Sequence, residues 1–215
     1  MLMTITTTTV KREINIMKRF TPALLSLIVL SFVVLSPVVA AAATQTGNTT
    51  INATVNSSLS LATSTTVGIS LTPTSSAVVS SAADTVTVST NSYNGYNLTL
   101  ADSDTVTTLA NGANTVAAHT GTYAAPTALA TNTWGYRIVS QGGFTAGAYT
   151  GESNATSSVS TWAGVASSAA PVQIKTTALN AQGDATTVWY GVKMDSAKPT
   201  GVYTDTVTYT AVTNS

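Results

Sequence analysis

The sequence predicts an all-β fold, an antiparallel sandwich, on three observations. Apolar residues recur at every second position over much of the chain, and β-branched residues dominate the stretches that alternate. Turns bearing Gly, Pro or Asn then separate those stretches at short intervals. Period two sends successive side chains to opposite faces, so each stretch offers one apolar face to a core and one hydroxyl-rich face to water. No segment keeps a helical period.

The elements follow in order. Ile51, Ala53 and Val55 alternate with Asn and Thr, as do Val67, Ile69 and Leu71 with Gly and Ser. Val86 and Val88 form a third run, and Tyr96, Leu98 and Leu100 a fourth. Asn94-Gly95 lies between these last two and predicts a hairpin loop. Trp134, Tyr136 and Ile138 share one face, where the large rings suit an inter-sheet core. Val188, Tyr190, Val192 and Met194 come next, and Tyr203, Asp205, Val207, Tyr209 and Ala211 close the series. Lys198-Pro199-Thr200-Gly201 links the last two runs, with Pro199 suited to the second position of a turn. Short strands joined this way predict an immunoglobulin-like or jelly-roll sandwich spanning residues 44–215 as one domain. Residues 112–130 and 141–170, rich in Ala, Ser, Gly and Thr, are expected to form surface loops or short edge strands, where binding residues tend to sit.

Residues 1–43 read differently. Met17-Lys18-Arg19 gives a basic start, residues 23–39 are almost wholly apolar, and Pro37 precedes Ala40-Ala41-Ala42-Ala43. A basic region, a short apolar region and small residues before a cut site define a secretory signal, with cleavage expected after Ala42 or Ala43 and Met17 as the start. A retained anchor is the competing reading, but the apolar run is short for a span of about 20 residues. A type IV prepilin would need Gly before the run and Glu within it, and Arg19 and an acid-free run stand there instead. The chain is therefore expected to be secreted, meeting the membrane only through its signal. The last residues, Thr213-Asn214-Ser215, carry no apolar tail or LPxTG-type sorting sequence, so attachment to a cell is expected to be non-covalent.

Charge is the unusual quantity. Asp, Glu, Lys and Arg make up 7% of the 215 residues, where about 25% is ordinary. Beyond the apolar run, Arg137, Lys175, Lys193 and Lys198 face seven carboxylates, a net of −3. No basic patch exists to neutralise phosphates, so nucleic acid is not an expected partner. With no cysteine there is no disulfide, thiol chemistry or Cys-bound zinc, and a domain of this size needs no such staple.

Chemistry-bearing constellations are sparse. His119 is the single histidine and reads as an exposed loop residue without a nucleophile motif around it. Asp102-Ser103-Asp104 has a spacing used by calcium sites but lacks the further oxygens these require, so a polar strand end is expected. Lys193, Asp205 and Asn214 could meet for an isopeptide bond only if Lys193 turned inward, against the alternation of Val192 and Met194. Five N-x-S/T sequons, at Asn48, Asn52, Asn56, Asn97 and Asn154, permit glycosylation without arguing for it. No enzyme activity, cofactor or metal is expected. The rare aromatics are the better lead. Trp162, in a loop context, Trp189, which alternates away from Tyr190, and Tyr149 are the candidate binding residues, since an exposed ring stacks on a sugar or docks a partner.

The closing run, Gly201-Val202-Tyr203-Thr204-Asp205-Thr206-Val207-Thr208-Tyr209-Thr210, resembles the final strand of two bacterial surface families. One is the spore-coat-U/archaic pilin domain, the other the WxL cell-wall-binding domain. The opening Asn52-Ala53-Thr54-Val55 and the segment around Asn94-Gly95-Tyr96 are similar to strands of such secreted proteins. The chain departs from both patterns: it lacks the pilin's cysteines, and Trp189-Tyr190-Gly191 stands where a Trp-x-Leu would be. The resemblance implies a non-catalytic, cell-surface structural or adhesive module. Its partners would be itself or other surface proteins, with Ile51, Ala53 and Val55 as a strand for addition to a neighbour's open edge. The alternative is a module binding cell-wall or host glycans through the exposed aromatics.

Overall fold

A computed structural model of the chain describes residues 43–144 and 147–215. The expected secretory segment, save Ala43, lies outside them. The chain divides into two units, Met1–Ala53 and Thr54–Ser215. In the first, residues 43–53 are all exposed and none belongs to a strand. Val55, in the second, is also exposed and strandless. The strand expected over Ile51, Ala53 and Val55 is thus not formed: alternation prepares a segment for a sheet, but only a hydrogen-bonding neighbour makes it a strand.

The second unit is all-β and, among the described residues, has no helix. Its strands are β1 (Leu59–Ala62), β2 (Val78–Thr90), β3 (Tyr96–Asp102), β4 (Leu109–Asn111), β5 (Asn114–Ala118) and β6 (Thr127–Ala128). They continue as β7 (Thr133–Ile138), β8 (Thr161–Trp162), β9 (Val172–Thr176), β10 (Ala181–Met194) and β11 (Val207–Thr213). Six form one mixed sheet in the order β1-β2-β10-β7-β5-β4, where β5 and β7 run parallel. Three more form an antiparallel sheet, β11-β3-β9, and β6 pairs with β8.

The alternation read in the sequence sorts the side chains as expected in the longer strands. Val86 and Val88 of β2, Trp134, Tyr136 and Ile138 of β7, and Val188, Tyr190, Val192 and Met194 of β10 enter one buried cluster. Tyr96, Leu98 and Leu100 of β3 and Ile174 of β9 complete it from the three-stranded sheet. Val67, Ile69 and Leu71 also pack against this core, half-buried but outside any strand. β11 begins at Val207, later than the alternation from Tyr203 suggested.

The hairpin expected at Asn94-Gly95 is not one. β2 pairs with β1 and β10, whereas β3 pairs with β11 and β9. The Asn94-Gly95 turn, closed by the Gly95 N–H on the Ser92 carbonyl at 3.1 Å, therefore carries the chain from one sheet to the other. Gly95 adopts φ 79°, and a Cβ there would stand 2.3 Å from the Thr177 carbonyl oxygen. The connection through Pro199 likewise leaves β10 in one sheet and delivers β11 to the other.

One charge lies inside this arrangement. Asp84 takes a core-facing position of β2, 3% exposed, with no ion-pair partner among the described residues. The Thr63 hydroxyl and the Ser64 N–H donate to its two oxygens, and the Tyr209 hydroxyl faces it as well. Tyr190 lies 2.6 Å from Tyr209, oxygen to oxygen, and extends the chain of hydroxyls to β10. Burial pushes the Asp84 carboxyl up, but those hydrogen bonds outweigh it and hold the group below its usual 3.8. A lowered native pKa stabilises the fold above the unfolded value and loses that stability as pH falls through the native one. The midpoint of thermal unfolding should therefore drop below about pH 4. Asp84→Asn should flatten that acid limb and cost about 1–3 kcal/mol at neutral pH, measured by urea unfolding.

Candidate functional site

The rare aromatics converge on the face of the six-stranded sheet opposite the main core. In register, Trp189 of β10 lies between Ala83 of β2 and Arg137 of β7. The next outward row holds Ser81, Gly191 and Gly135. Without a side chain at Gly191 the sheet has a slot, and the Trp162 indole fills it: a Cβ on Gly191 would stand 2.5 Å from the ring. β8 is held beside β7 by paired backbone bonds between Tyr136 and Ala163, at 2.7 and 2.8 Å. Trp162 with Val79 and Leu129 makes a second, smaller apolar cluster, bordered by Tyr149 and Trp189.

Tyr149 joins the two indoles. Its ring meets Trp189 edge-on at 4.9 Å and Trp162 at 5.7 Å, the T-shaped geometry that aligns ring quadrupoles. The Arg137 guanidinium lies 4.2 Å above the same ring and 5.8 Å from Trp162. Arg137 is 4% exposed and forms no ion pair among the described residues, so the aromatic faces supply its electrostatic partner. Burial lowers its pKa, against the opposing pull of Tyr149 and Glu152. A polar clamp fixes the tyrosine: its hydroxyl lies 2.9 Å from Ser81 Oγ and donates to Glu152 Oε2 at 3.2 Å. The Glu152 N–H donates to Ser81 Oγ at 2.8 Å. Burial pushes the Tyr149 hydroxyl up to about 12, so it remains a donor at any ordinary pH. Arg137 Nε, Trp162 Nε1 and Thr161 Oγ1 are buried there without a hydrogen-bond partner among the described residues.

The three residues singled out from the sequence are thus brought together, in unequal roles. Trp162 was expected in a loop; it lies in β8, wholly buried, because the glycine slot and the 141–170 segment enclose it. It supports the cluster from beneath and has no free face. Trp189 and Tyr149 are half-buried and form its outer wall. Arg137, Glu152 and Ser81 went unnoticed in the sequence. Arg137 alternates outward from Tyr136 and Ile138 and reads as solvated until the 141–170 segment is laid over it.

His119 is also corrected, from exposed to 6% exposed. Its Nδ1 accepts from the Ala130 N–H at 3.4 Å, which places the ring proton on Nε2, 2.8 Å from Thr127 Oγ1. Burial lowers its pKa, and these partners give it a structural task in joining β5 to β6. Lys193, Asp205 and Asn214 are engaged separately: Lys193 donates to the Leu129 carbonyl, Asn214 to those of Asn94 and Thr177, and Asp205 accepts from Thr206. Lys175 and Asp184 form an ion pair of 2.6 Å, to which the Tyr96 hydroxyl adds a bond of 2.8 Å. Burial raises the Asp184 pKa, but Lys175 and Tyr96 outweigh it and keep the group an ionised carboxylate. Asp102 is 1% exposed at the end of β3, facing Asp205. Among the described residues, no three His, Asp or Glu side chains converge in a way that would hold a metal ion.

Family models, curated proteins and solved structures were all compared with the chain, and none matches it.

The cluster's energetics are testable. Trp162→Ala removes a fully enclosed ring and should cost about 3–5 kcal/mol in urea unfolding. Arg137→Met keeps the stem and removes only the cation, and should cost about 2 kcal/mol or less.

Proposed function

We propose that this chain is a non-catalytic, secreted surface module with a structural or adhesive role, joined to its neighbours by β-strand addition. The observation that carries this reading is a strandless segment together with an edge strand. Residues 44–56 alternate Ile51, Ala53 and Val55 with Asn and Thr, and every one of them is exposed, Ile51 at 82% and Val55 at 85%. β11 is an edge of its sheet, seven residues long, without charge or proline, and among the described residues it pairs with β3 alone. Such an edge presents unpaired N–H and C=O groups and none of the charges or prolines that usually blunt one. A segment of period two from a second copy fits it, backbone bonds giving affinity and alternate side chains giving register. The larger sheets share one core and the chain crosses between them repeatedly, at β2–β3, β3–β4, β9–β10 and β10–β11, which supports their reading as an immunoglobulin-like or jelly-roll sandwich. The likeness of the closing strand to pilin-type and WxL surface domains points the same way.

Deleting residues 44–56 should abolish concentration-dependent filaments, seen by electron microscopy and light scattering, while leaving the unfolding midpoint of the remaining domain unchanged. Filaments that persist in the deletion variant would sink strand addition.

A second reading, a glycan-binding module, is favoured by one observation: Trp189 and Tyr149 are only half-buried beside the covered Arg137. Sugar stacking on them predicts that Trp189→Ala loses polysaccharide in a pull-down while its circular dichroism is unaltered. Equal retention by wild type and variant would remove this reading.

A further inference from the structure

Two aspartates meet where β3 ends and β11 begins. The register pairs Asp102 with Val207, which brings Asp205, two residues earlier, to the same end of the sheet. Asp102 Oδ1 accepts the Asp104 N–H at 3.0 Å, and Asp205 Oδ1 accepts the Thr206 N–H at 2.8 Å. Each second oxygen, Oδ2, is closed off from solvent and has no donor among the described residues. The register and these two closed-off oxygens place the carboxyls at one end of the sheet, where Asp102 acts on Asp205. Asp104, whose Oδ1 accepts the Val106 N–H, is the other group that faces Asp205, so all its ionisable neighbours are acids. Lys198, the nearest cation in sequence, is committed to the Thr115 carbonyl.

Two closed-off acceptors at the same end of the sheet repel unless something is shared between them. A calcium ion would ask for six to eight oxygens, and among the described residues Asp102, Asp104 and Asp205 do not draw together closely enough to hold one. A proton needs only the two that are there. We propose that Asp102 and Asp205 hold one proton between them, an acid–carboxylate hydrogen bond that latches the start of β11 to the end of β3 and opens when the proton leaves. No bond other than O–H is made or broken, and the proton goes to water.

The latch closes in acid. Burial pushes the Asp205 carboxyl up, the Thr206 N–H pulls it down, and the charges of Asp102 and Asp104 raise it again, to about 6. A raised native pKa means that the folded chain keeps a proton which the unfolded chain releases near pH 3.9. Its contribution is therefore complete below about pH 3.9 and is lost as pH rises through about 6. Loss of the latch frees Ser103 and Thr206, whose N–H···O bond of 2.9 Å is the first beyond the strand pair, and then the leading residues of β11. The proton pair stands independently of strand addition; if β11 is the receiving edge, its leading residues become pH-dependent.

The test is a carboxyl-carbon NMR titration of the wild-type chain, run with EDTA and again with excess calcium. One of the two carboxyls is expected to titrate near pH 6 in both. Asp205→Asn, whose amide donates to Asp102 at every pH, should remove that titration. Amide exchange at Thr208 and Tyr209, compared between variant and wild type at the same pH, should then be slower in the variant by roughly tenfold at neutral pH, and equal in both at pH 4. The tenfold figure is cut from the full ratio because Asp205 is half-open to solvent. Asp102→Asn should reproduce this behaviour should Asp205→Asn fold poorly. Two carboxyls that both titrate below about pH 4.5 would overturn the proposal, and so would a titration that calcium displaces, which would make the pair a cation site.

Discussion

The fold turns on a carboxylate that has no counter-ion among the described residues. Asp84 occupies a core-facing position of β2, where an apolar residue would have cost nothing to bury. Removing such a group from water is tolerable only when its lone pairs are met by donors. Those donors come from the stretch after β1, through Thr63 and Ser64, while Tyr209 of β11 faces the group with Tyr190 of β10 bonded behind it. The connection after β1, the strand in the middle of the large sheet and the last strand of the small one are thus referred to one atom group. Apolar packing alone accepts many registers, whereas a buried carboxylate accepts few. Asp84 narrows the choice for β11, whose alternate Thr residues would otherwise slide with little penalty.

How far the sequence could be read depends on which question is asked. Alternation reports which face a residue takes, and for β2, β3, β7 and β10 it named the core correctly, from Val86 to Met194. It does not report which strand lies alongside. Asn94-Gly95 and Lys198-Pro199 have the chemistry of tight turns, and they do turn the chain; the strands they join pair elsewhere because each arch crosses between sheets. The N-terminal alternation and that of Val67 to Leu71 have the same pattern without a ladder, since pairing is decided by distant residues. β4, β5, β6 and β8 are too short to show any period at all.

The aromatic cluster was legible for a different reason. In a chain where rings are scarce, Trp162, Trp189 and Tyr149 stand out by residue type, and the fold does gather them. Their exposure could not be read, because it depends on Gly135 and Gly191 lying side by side on neighbouring strands, a fact of register. The same register conceals Arg137. An arginine in an exposed strand position looks solvated, and only the 141–170 segment folding back across β7 and β10 turns it into a covered cation between rings. That segment seemed a loop by composition. Its serines and glycines leave Trp162 to do the anchoring, with Ala163 bridged to Tyr136 to hold the indole over its slot.

The single ion pair among the described residues, Lys175 with Asp184, carries a consequence for the medium in which such a chain works. Proteins that rely on networks of surface charge lose them as electrolyte rises, for at about 1 M the Debye length shrinks to about 3 Å. Here water is held by threonine and serine hydroxyls and by asparagine amides, which bind it without a field to screen. Burial of Val, Tyr and Trp is meanwhile strengthened by salts of the excluded kind. Rising ionic strength therefore has little surface charge pairing here to screen, and its effect falls on the burial of apolar side chains instead.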